Sequence, residues 1–240
     1  MLPTALLQDI TQTVDWALQE DLGQNIHQAP AAEKNKLDIT ATLIPETNTA
    51  VATIINREDC IVCGIAWVEE VFKQLDNAFN HNKEQATKIT WFVNDGQMAK
   101  ANTVLCELSG NARALLTGER VALNFLQTLS GTATLTSSYV KELAGSNTQL
   151  LDTRKTLPGL RSAQKYAVSC GGGKNHRIGL FDAFLIKENH IAACGGIEKA
   201  VATAKSNHPT ITVEEEVESL DELNQAINAG ADIIMLDNYS

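Results

Sequence analysis

A basic segment in the second half of the chain holds the residues best suited to bind a charged small molecule. Between residues 154 and 187 the sequence carries seven lysines and arginines and a single acid, Asp182. This segment has a formal charge of +6, which leaves −16 for the rest of a chain whose total is −10. An acidic protein that concentrates its positive charge in this way is best explained by a small, highly anionic ligand held in a cleft. The seven residues are Arg154, Lys155, Arg161, Lys165, Lys174, Arg177 and Lys187, and His176 adds a further donor.

Two members of this segment have an alternative explanation. Arg161 and Lys165 are four residues apart on a predicted helix, so they share one of its faces. That face either points towards the ligand or lies in solvent as an ordinary charged surface, and the sequence favours neither.

Acidic side chains downstream could complete a binding site. Glu214 and Glu216 are two apart on a predicted strand and share a face, whereas Glu215 points to the other side. Buried carboxylates need partners, and Mg²⁺ or ribose hydroxyls would supply them, with Asp237 joining from another strand. Alternatively these acids only form salt bridges with Lys187 and Arg154.

Strands and helices alternate through the second half of the chain, which is typical of a parallel βα arrangement. We predict strands at 149–151, 183–186, 211–217 and 232–236, with helices at 196–205 and 220–228. Charged residues stand at or next to the end of each strand, and in a βα barrel such ends meet around one mouth. The alternative is that strands must end in polar residues somewhere. The residues concerned are Asp152, Arg154, Lys155, Lys187, Glu216 and Asp237.

The first half mixes element types. A helix is predicted at 6–20 and a polar loop at 24–36, followed by strands at 51–55, 61–62, 89–93 and 104–108 and a helix at 67–79. Strands covered by a helix indicate an α+β sandwich. A long helical pattern follows at 112–143, with Gly118 and Gly131 as expected interruptions. We place the domain boundary there, giving domains 1–115 and 116–240.

Composition excludes several classes of protein. The negative charge argues against general binding to nucleic acids or anionic membranes, and the N-terminus has no basic leader. We therefore expect a soluble cytoplasmic protein. The cysteines are odd in number and scattered, and Cys60 and Cys63 form a C-x-x-C without a second pair, so we expect buried, inert thiols. The motifs of P-loops, dinucleotide-binding folds and zinc proteases are absent.

The longest motif resembles a known family. The sequence DTRKTLPGLRSAQKYAVSCGGGKNHRIGLFDAFLIKENHI, at 152–191, is similar to quinolinate phosphoribosyltransferases, the carboxylating nicotinate-nucleotide pyrophosphorylases. The similarity extends to GERVALNFLQTLSGTAT at 118–134, INREDCIVCGIAWVEEVF at 55–72, and VEEEVESLDEL and ADIIMLDN further on. It therefore covers nearly the whole chain.

The resemblance implies a fold and a reaction. The fold is the α/β type II phosphoribosyltransferase, an N-terminal α+β sandwich followed by an irregular α/β barrel, in a homodimer. The reaction combines quinolinate and phosphoribosyl pyrophosphate (PRPP), with Mg²⁺, to give nicotinate mononucleotide, pyrophosphate and carbon dioxide in NAD biosynthesis.

The family's functional residues have matching types here. The resemblance implies that Arg154, His176, Arg177 and Lys187 face the dicarboxylate, with Arg120 donated by the partner subunit. It places Lys155 and Lys187 towards PRPP, and Glu216 and Asp237 towards its ribose hydroxyls and the metal. Catalysis then falls to Lys155, Lys187, Glu216 and Asp237. The complete set of binding residues is Arg120, Thr153, Arg154, Lys155, His176, Arg177, Lys187, Glu216 and Asp237.

One departure from the family leaves alternatives open. The family continues beyond the strand before Asp237 into further βα units with glycine-rich phosphate loops, so we expect a C-terminally truncated member with an incomplete barrel. Such a chain is either an active enzyme or a non-catalytic anion-binding fragment. A third alternative is a paralogue with the same fold that acts on another anionic acceptor.

Overall fold

The computed structural model describes residues 2–34, 36–79 and 84–239. The chain divides into two compact units, residues 1–175 and 176–240. Among these residues, no helix is both long enough and apolar enough to cross a membrane. Each unit has its own hydrophobic core.

The first unit contains both helices and strands. Its helices are α1 (Thr4–Leu22), α2 (Ala31–Lys34), α3 (Ile65–Phe79), α4 (Ala112–Glu142) and α5 (Arg161–Cys170), with a 3₁₀ turn at Ala41–Leu43. Its strands are β1 (Thr49–Ile55), β2 (Cys60–Ile61), β3 (Lys88–Trp91), β4 (Met98–Ala99) and β5 (Val104–Asn111).

An antiparallel sheet in the order β1-β5-β3, a short β2-β4 ribbon and the helices form the predicted α+β sandwich. Trp67, Leu75 and Leu129 are fully enclosed in its core. The predicted strands of this unit's sandwich are confirmed, and so are the helices predicted at 6–20 and 67–79, which correspond to α1 and α3. The predicted loop at 24–36 is interrupted by the short helix α2.

The long helix α4 corrects one prediction. It runs unbroken from Ala112 to Glu142, so Gly118 and Gly131 do not interrupt it. Gly118 faces α3, and a Cβ atom added there would lie 2.7 Å from the Phe72 ring. The glycine is therefore required for close packing of the two helices. Asn111 caps the helix by accepting hydrogen bonds from the amides of Arg113 (3.0 Å) and Ala114 (3.3 Å). The predicted domain boundary after residue 115 falls in the first turns of this helix and stays a prediction.

The second unit is a parallel βα arrangement. Its strands β6 (Phe184–Ile186), β7 (Val213–Val217) and β8 (Ile233–Leu236) lie side by side in that order. Its helices are α6 (Glu188–Cys194), α7 (Ile197–Asn207) and α8 (Leu220–Ala229). Val213 and Val217 pack with alanines of α7 and α8 in a small core. The predicted strand at 149–151 was wrong, because those residues, in the first unit, form only an isolated bridge between Leu151 and Lys174.

The cysteines are reduced, as predicted from their spacing. Burial raises the pKa of the Cys60 thiol, and a hydrogen bond with Cys170, followed by burial, raises that of Cys63. Thiols with raised pKa values are poor nucleophiles. Cys63 is buried, as predicted, whereas Cys60 is only half-buried, and neither thiol of the C-x-x-C motif is activated as a nucleophile.

Candidate active site

A tight turn in the first unit presents Thr153, Arg154 and Lys155. Its backbone is fixed by three hydrogen bonds, from the Lys155 amide to Thr153 Oγ1 (3.0 Å), from the Thr156 amide to the Arg154 carbonyl (3.1 Å), and from the Leu157 amide to Gln164 Oε1 (2.8 Å). Arg154 is half-buried and Lys155 is exposed. The turn thus holds two cations side by side on a defined backbone.

The helix that follows this turn answers the question left open for Arg161 and Lys165. Lys165 is only 3% exposed, and its ammonium donates to the carboxylate of Asp152. Arg161 Nε donates to Thr156 Oγ1 at 3.4 Å. Both side chains therefore contact the segment 152–156, and a purely solvated face is wrong for Lys165.

Arg120 lies on the exposed side of α4. None of the hydrogen bonds described for the turn at 153–155 involves it. Arg120 is therefore a surface cation of the first unit.

Two acid–base pairs occupy one face of the sheet in the second unit. The imidazole of His176 contacts the carboxylate of Glu214 through Nε2, and the ammonium of Lys187 donates to the carboxylate of Glu216. Glu214 and Glu216 share a face because alternate residues of β7 do so. Their side chains are 5% and 12% exposed, so both carboxylates are largely removed from water. Lys187 itself stays 40% exposed and can reach a ligand.

The strand ends of the second unit place three of the predicted catalytic residues at one edge of the sheet. Lys187 directly follows β6, Glu216 lies near the end of β7, and Asp237 directly follows β8. The Asp237 amide donates to the Val217 carbonyl at 3.0 Å, which continues the pairing of β7 with β8. Asp237 also accepts a hydrogen bond from the Asn238 side chain at 2.8 Å. The prediction that parallel strand ends gather these charges is confirmed for this unit.

Arg177 is held by the loop that leads into β6. Its Nη1 donates to the carbonyl of Ala183 at 3.1 Å. Asp182 closes the same loop by accepting from the amides of Ile178 (2.7 Å) and Gly179 (2.9 Å). Although burial alone would raise it, these hydrogen bonds and the nearby Arg177 bring the pKa of Asp182 below its usual range. The single acid of the basic segment thus orders the loop and stays ionised.

Glu215 lies on the opposite face of β7 from the two paired glutamates. It is fully buried, and neither carboxylate oxygen has a hydrogen-bond partner among the described residues. Burial, with a smaller contribution from Glu222, raises its pKa to about 7. Glu215 is therefore a core residue and does not belong to the candidate site.

The family resemblance passed over two residues that the structure brings into contact with predicted ones. Glu214 pairs with His176, and Lys165 pairs with Asp152 directly before the turn. The alternation on β7 is the signal for Glu214, since it places this residue on the face of Glu216. No signal in the sequence distinguishes Lys165 from an exposed helical lysine.

Comparison with known proteins identifies the family to which the chain is related. Residues 38–130 match the family model of the N-terminal domain of quinolinate phosphoribosyl transferase, and residues 132–240 match that of its C-terminal domain. A probable nicotinate-nucleotide pyrophosphorylase (carboxylating) of Bacillus subtilis is 43% identical over 206 residues, which are 84% of this chain and 67% of that protein. A protein of the same description from Synechocystis is 42% identical over 185 residues, 77% of this chain and 60% of that one.

A solved structure gives the same result for the fold. The nicotinate-nucleotide pyrophosphorylase of Francisella tularensis superposes with a TM-score of 0.86 at 50% identity, covering all of this chain and 77% of that one. The chain spans about three fifths to two thirds of the length of the curated relatives described above. The architecture is that of the α/β type II phosphoribosyltransferases. By sequence and by structure, the chain belongs to the quinolinate phosphoribosyltransferase family.

Proposed function

We propose that the protein transfers the phosphoribosyl group of PRPP to quinolinate, with release of pyrophosphate and carbon dioxide, to form nicotinate mononucleotide. The observation that carries this proposal is the pair of acid–base contacts on one face of β7, His176 with Glu214 and Lys187 with Glu216. They combine cations for an anionic acceptor with carboxylates for a ribosyl cation. The names of the relatives support the same reaction.

The acceptor is assigned to Arg154, His176, Arg177 and Lys187. A guanidinium can pair with a carboxylate through two parallel hydrogen bonds, so two arginines suit a molecule with two carboxylates. A monocarboxylate would leave buried positive charge unpaired, which is costly. This cationic set therefore favours quinolinate over nicotinate.

The donor is assigned to Lys155, Lys187, Glu216 and Asp237. When the bond between C1′ and the pyrophosphate oxygen breaks, its electron pair leaves with pyrophosphate and positive charge develops on the ribose. Carboxylates near the ribose stabilise that charge, and lysines stabilise the leaving group. Glu216 lies near the end of β7 and Asp237 directly follows the neighbouring strand β8, which suits a shared role towards the ribose.

Magnesium fits this donor set. Within the described residues no three His, Cys, Asp or Glu side chains gather as a metal cage. Mg²⁺ is commonly bound by one or two carboxylates together with substrate phosphates, so Glu216 and Asp237 suit an ion that binds with PRPP. Such an ion would neutralise charge on the pyrophosphate.

Bond formation then proceeds through the acceptor. The pyridine nitrogen donates its lone pair to C1′, which gives a quaternary pyridinium. The carboxylate next to that nitrogen leaves as carbon dioxide, and the released electron pair stays on the ring carbon beside the cationic nitrogen until a proton replaces the carboxylate. The chain's own contribution is to hold both substrates among fixed charges.

The proposal includes a homodimer in the cytoplasm. Arg120 is exposed on α4, and no described residue forms an ion pair with it. This exposure suits donation of the guanidinium to the quinolinate site of a second copy.

Calorimetric titration with quinolinate, followed by a carbon dioxide release assay with PRPP and Mg²⁺, tests the proposal. We expect binding by the wild-type chain and its loss in Arg154→Ala. The exposed Arg57, in the loop between β1 and β2, provides the matched control Arg57→Ala, which should bind as the wild type does. Failure of the wild-type chain to bind quinolinate, or unchanged affinity in Arg154→Ala, would contradict the assignment.

A further inference from the structure

We propose that Lys165 is a positioning residue that fixes the turn bearing Thr153, Arg154 and Lys155. The proposal rests on the function proposed above, because that function gives the turn its role. Lys165 holds the turn through Asp152, the residue that immediately precedes it. It does not itself contact substrate in this assignment.

The burial of the pair is the first observation. Lys165 is 3% exposed and the Asp152 side chain 7%, so both charges lie away from solvent. A buried pair of this kind adds little stability compared with apolar residues of similar size, although the loss of one partner is damaging. We therefore assign the pair to the orientation of the adjoining turn, which it reaches through Asp152.

The backbone beside the turn is the second observation. The Asp152 amide donates to the Lys174 carbonyl at 3.1 Å, and the Lys174 amide donates to the Leu150 carbonyl at 2.8 Å. The next residue, Asn175, donates from its side chain to the carbonyl of Lys165 at 3.0 Å. The segment before the turn is therefore tied to Lys165 twice, once through the ammonium and once through residues 174–175.

The helix that carries Lys165 is itself anchored. Tyr166 donates its hydroxyl hydrogen to Asp95 at 2.9 Å, and Ser162 donates to the carboxylate of Asp9. Ala163 and Ala167 are buried against the first unit's core. The ammonium of Lys165 thus projects from a fixed support, which a positioning residue requires.

Three variants and one control test this inference. Lys165→Met removes the ammonium, Asp152→Asn removes the carboxylate, and the double variant removes both charges and leaves neither uncompensated. Lys141→Met changes an exposed lysine near the end of α4 and serves as the matched control. For each variant we would measure quinolinate affinity, KM and kcat for both substrates, thermal unfolding, and amide hydrogen exchange.

We expect all three variants to lose affinity for quinolinate by about tenfold to a hundredfold, as misplacement of binding groups by about an ångström does. Amide exchange should accelerate at Asp152, Lys155 and Thr156, while the amides in the middle of α4 keep their protection. KM for quinolinate should rise more than KM for PRPP. A merely structural role would lower the melting temperature and accelerate exchange throughout the first unit.

The double variant keeps the test decisive if Lys165→Met fails to fold, because it contains no unpaired buried charge. Wild-type affinity and wild-type exchange in the folded double variant would overturn the inference. If the wild-type chain itself does not bind quinolinate, the proposed function fails, but exchange at residues 152–156 still decides whether Lys165 orders the turn.

Discussion

Glu215 and Glu216 are neighbours in β7, yet their carboxyl groups lie in opposite environments. Glu216 pairs with Lys187 on the face of the candidate site, whereas Glu215 is enclosed on the other face without a hydrogen-bond partner among the described residues. One strand therefore presents a charged group to the site and keeps a second acid in the core.

The first prediction concerns the buried member of this pair. The pKa of Glu215 rises from 4.5 to about 7 on folding, so burial favours its protonated form. The stability contributed by protonated Glu215 is complete below about pH 4.5 and is lost as the pH rises through 7. At pH 8 the total loss of folding free energy is about 3 kcal/mol. Glu215→Gln should remove this dependence and leave the second unit more stable than wild type at pH 8.

Amide hydrogen exchange of β7 between pH 5 and pH 8, corrected for the intrinsic rate, measures this effect. The exposed Glu198 on α7 provides the control Glu198→Gln, which should retain the wild-type slope. A wild-type stability that does not change across this range would show that folding does not raise the pKa of Glu215.

The second prediction separates acceptor from donor binding. Glu216→Gln keeps the shape of the side chain but removes the charge assigned to the ribose, so kcat should fall by about a hundredfold. Quinolinate affinity should not weaken, because the Lys187 ammonium then has no internal carboxylate partner and can still bind the quinolinate carboxylate. Lys187→Met should weaken quinolinate binding. The assignment would be wrong if Glu216→Gln lost quinolinate binding and kept kcat.

The third prediction uses two glycines of the same helix. At Gly118 an added Cβ atom would lie 2.7 Å from the Phe72 ring and 2.8 Å from Leu75, whereas at Gly131 no atom lies within 4 Å. Gly118→Ala should therefore destabilise the first unit by about 1–3 kcal/mol through overpacking. Gly131→Ala should stabilise it by about 0.5–1 kcal/mol through helix propensity. Urea denaturation followed by tryptophan fluorescence compares the two, and equal effects would contradict the packing argument.

The fourth prediction concerns Asp95, which joins three parts of the first unit. Its carboxylate accepts from the amides of Gly64 (2.9 Å) and Ile65 (3.2 Å) at the start of α3, and from the Tyr166 hydroxyl. Asp95→Ala should cost about 2–4 kcal/mol, since it leaves several buried donors unsatisfied. Tyr166→Phe removes one of these hydrogen bonds and should cost about 1 kcal/mol. Chemical denaturation gives both values, and the reverse order would contradict the role given to Asp95.

Local patterns predicted most of the fold. Alternation on β7 correctly separated Glu214 and Glu216 from Glu215, because a side-chain period of two is a property of the strand itself. The βα order of the second half likewise predicted that Lys187 and Asp237 follow parallel strands. The family resemblance supplied the roles of the site residues, which composition and periodicity alone could not.

The wrong predictions depend on contacts that are remote in sequence. Gly118 was expected to interrupt α4, but its neighbours are Phe72 and Leu75, more than forty residues earlier. Residues 149–151 have an apolar strand-like pattern, yet they pair only once, with Lys174. The direction of Lys165, which the sequence left open, depends on Asp152, the residue directly after that segment. Such partners are fixed by tertiary packing, and no local pattern contains them.

The anchoring of α5 determines where this protein could be joined to a relative. The two family models meet near residue 131, inside the helix α4, whereas the compact units meet between residues 175 and 176. A chimera joined at 131 would take Ser162 and Tyr166 from one parent and their partners Asp9 and Asp95 from the other. Recombination at that point would succeed only between parents that share these pairs, whereas a crossover after residue 175 would inherit them together.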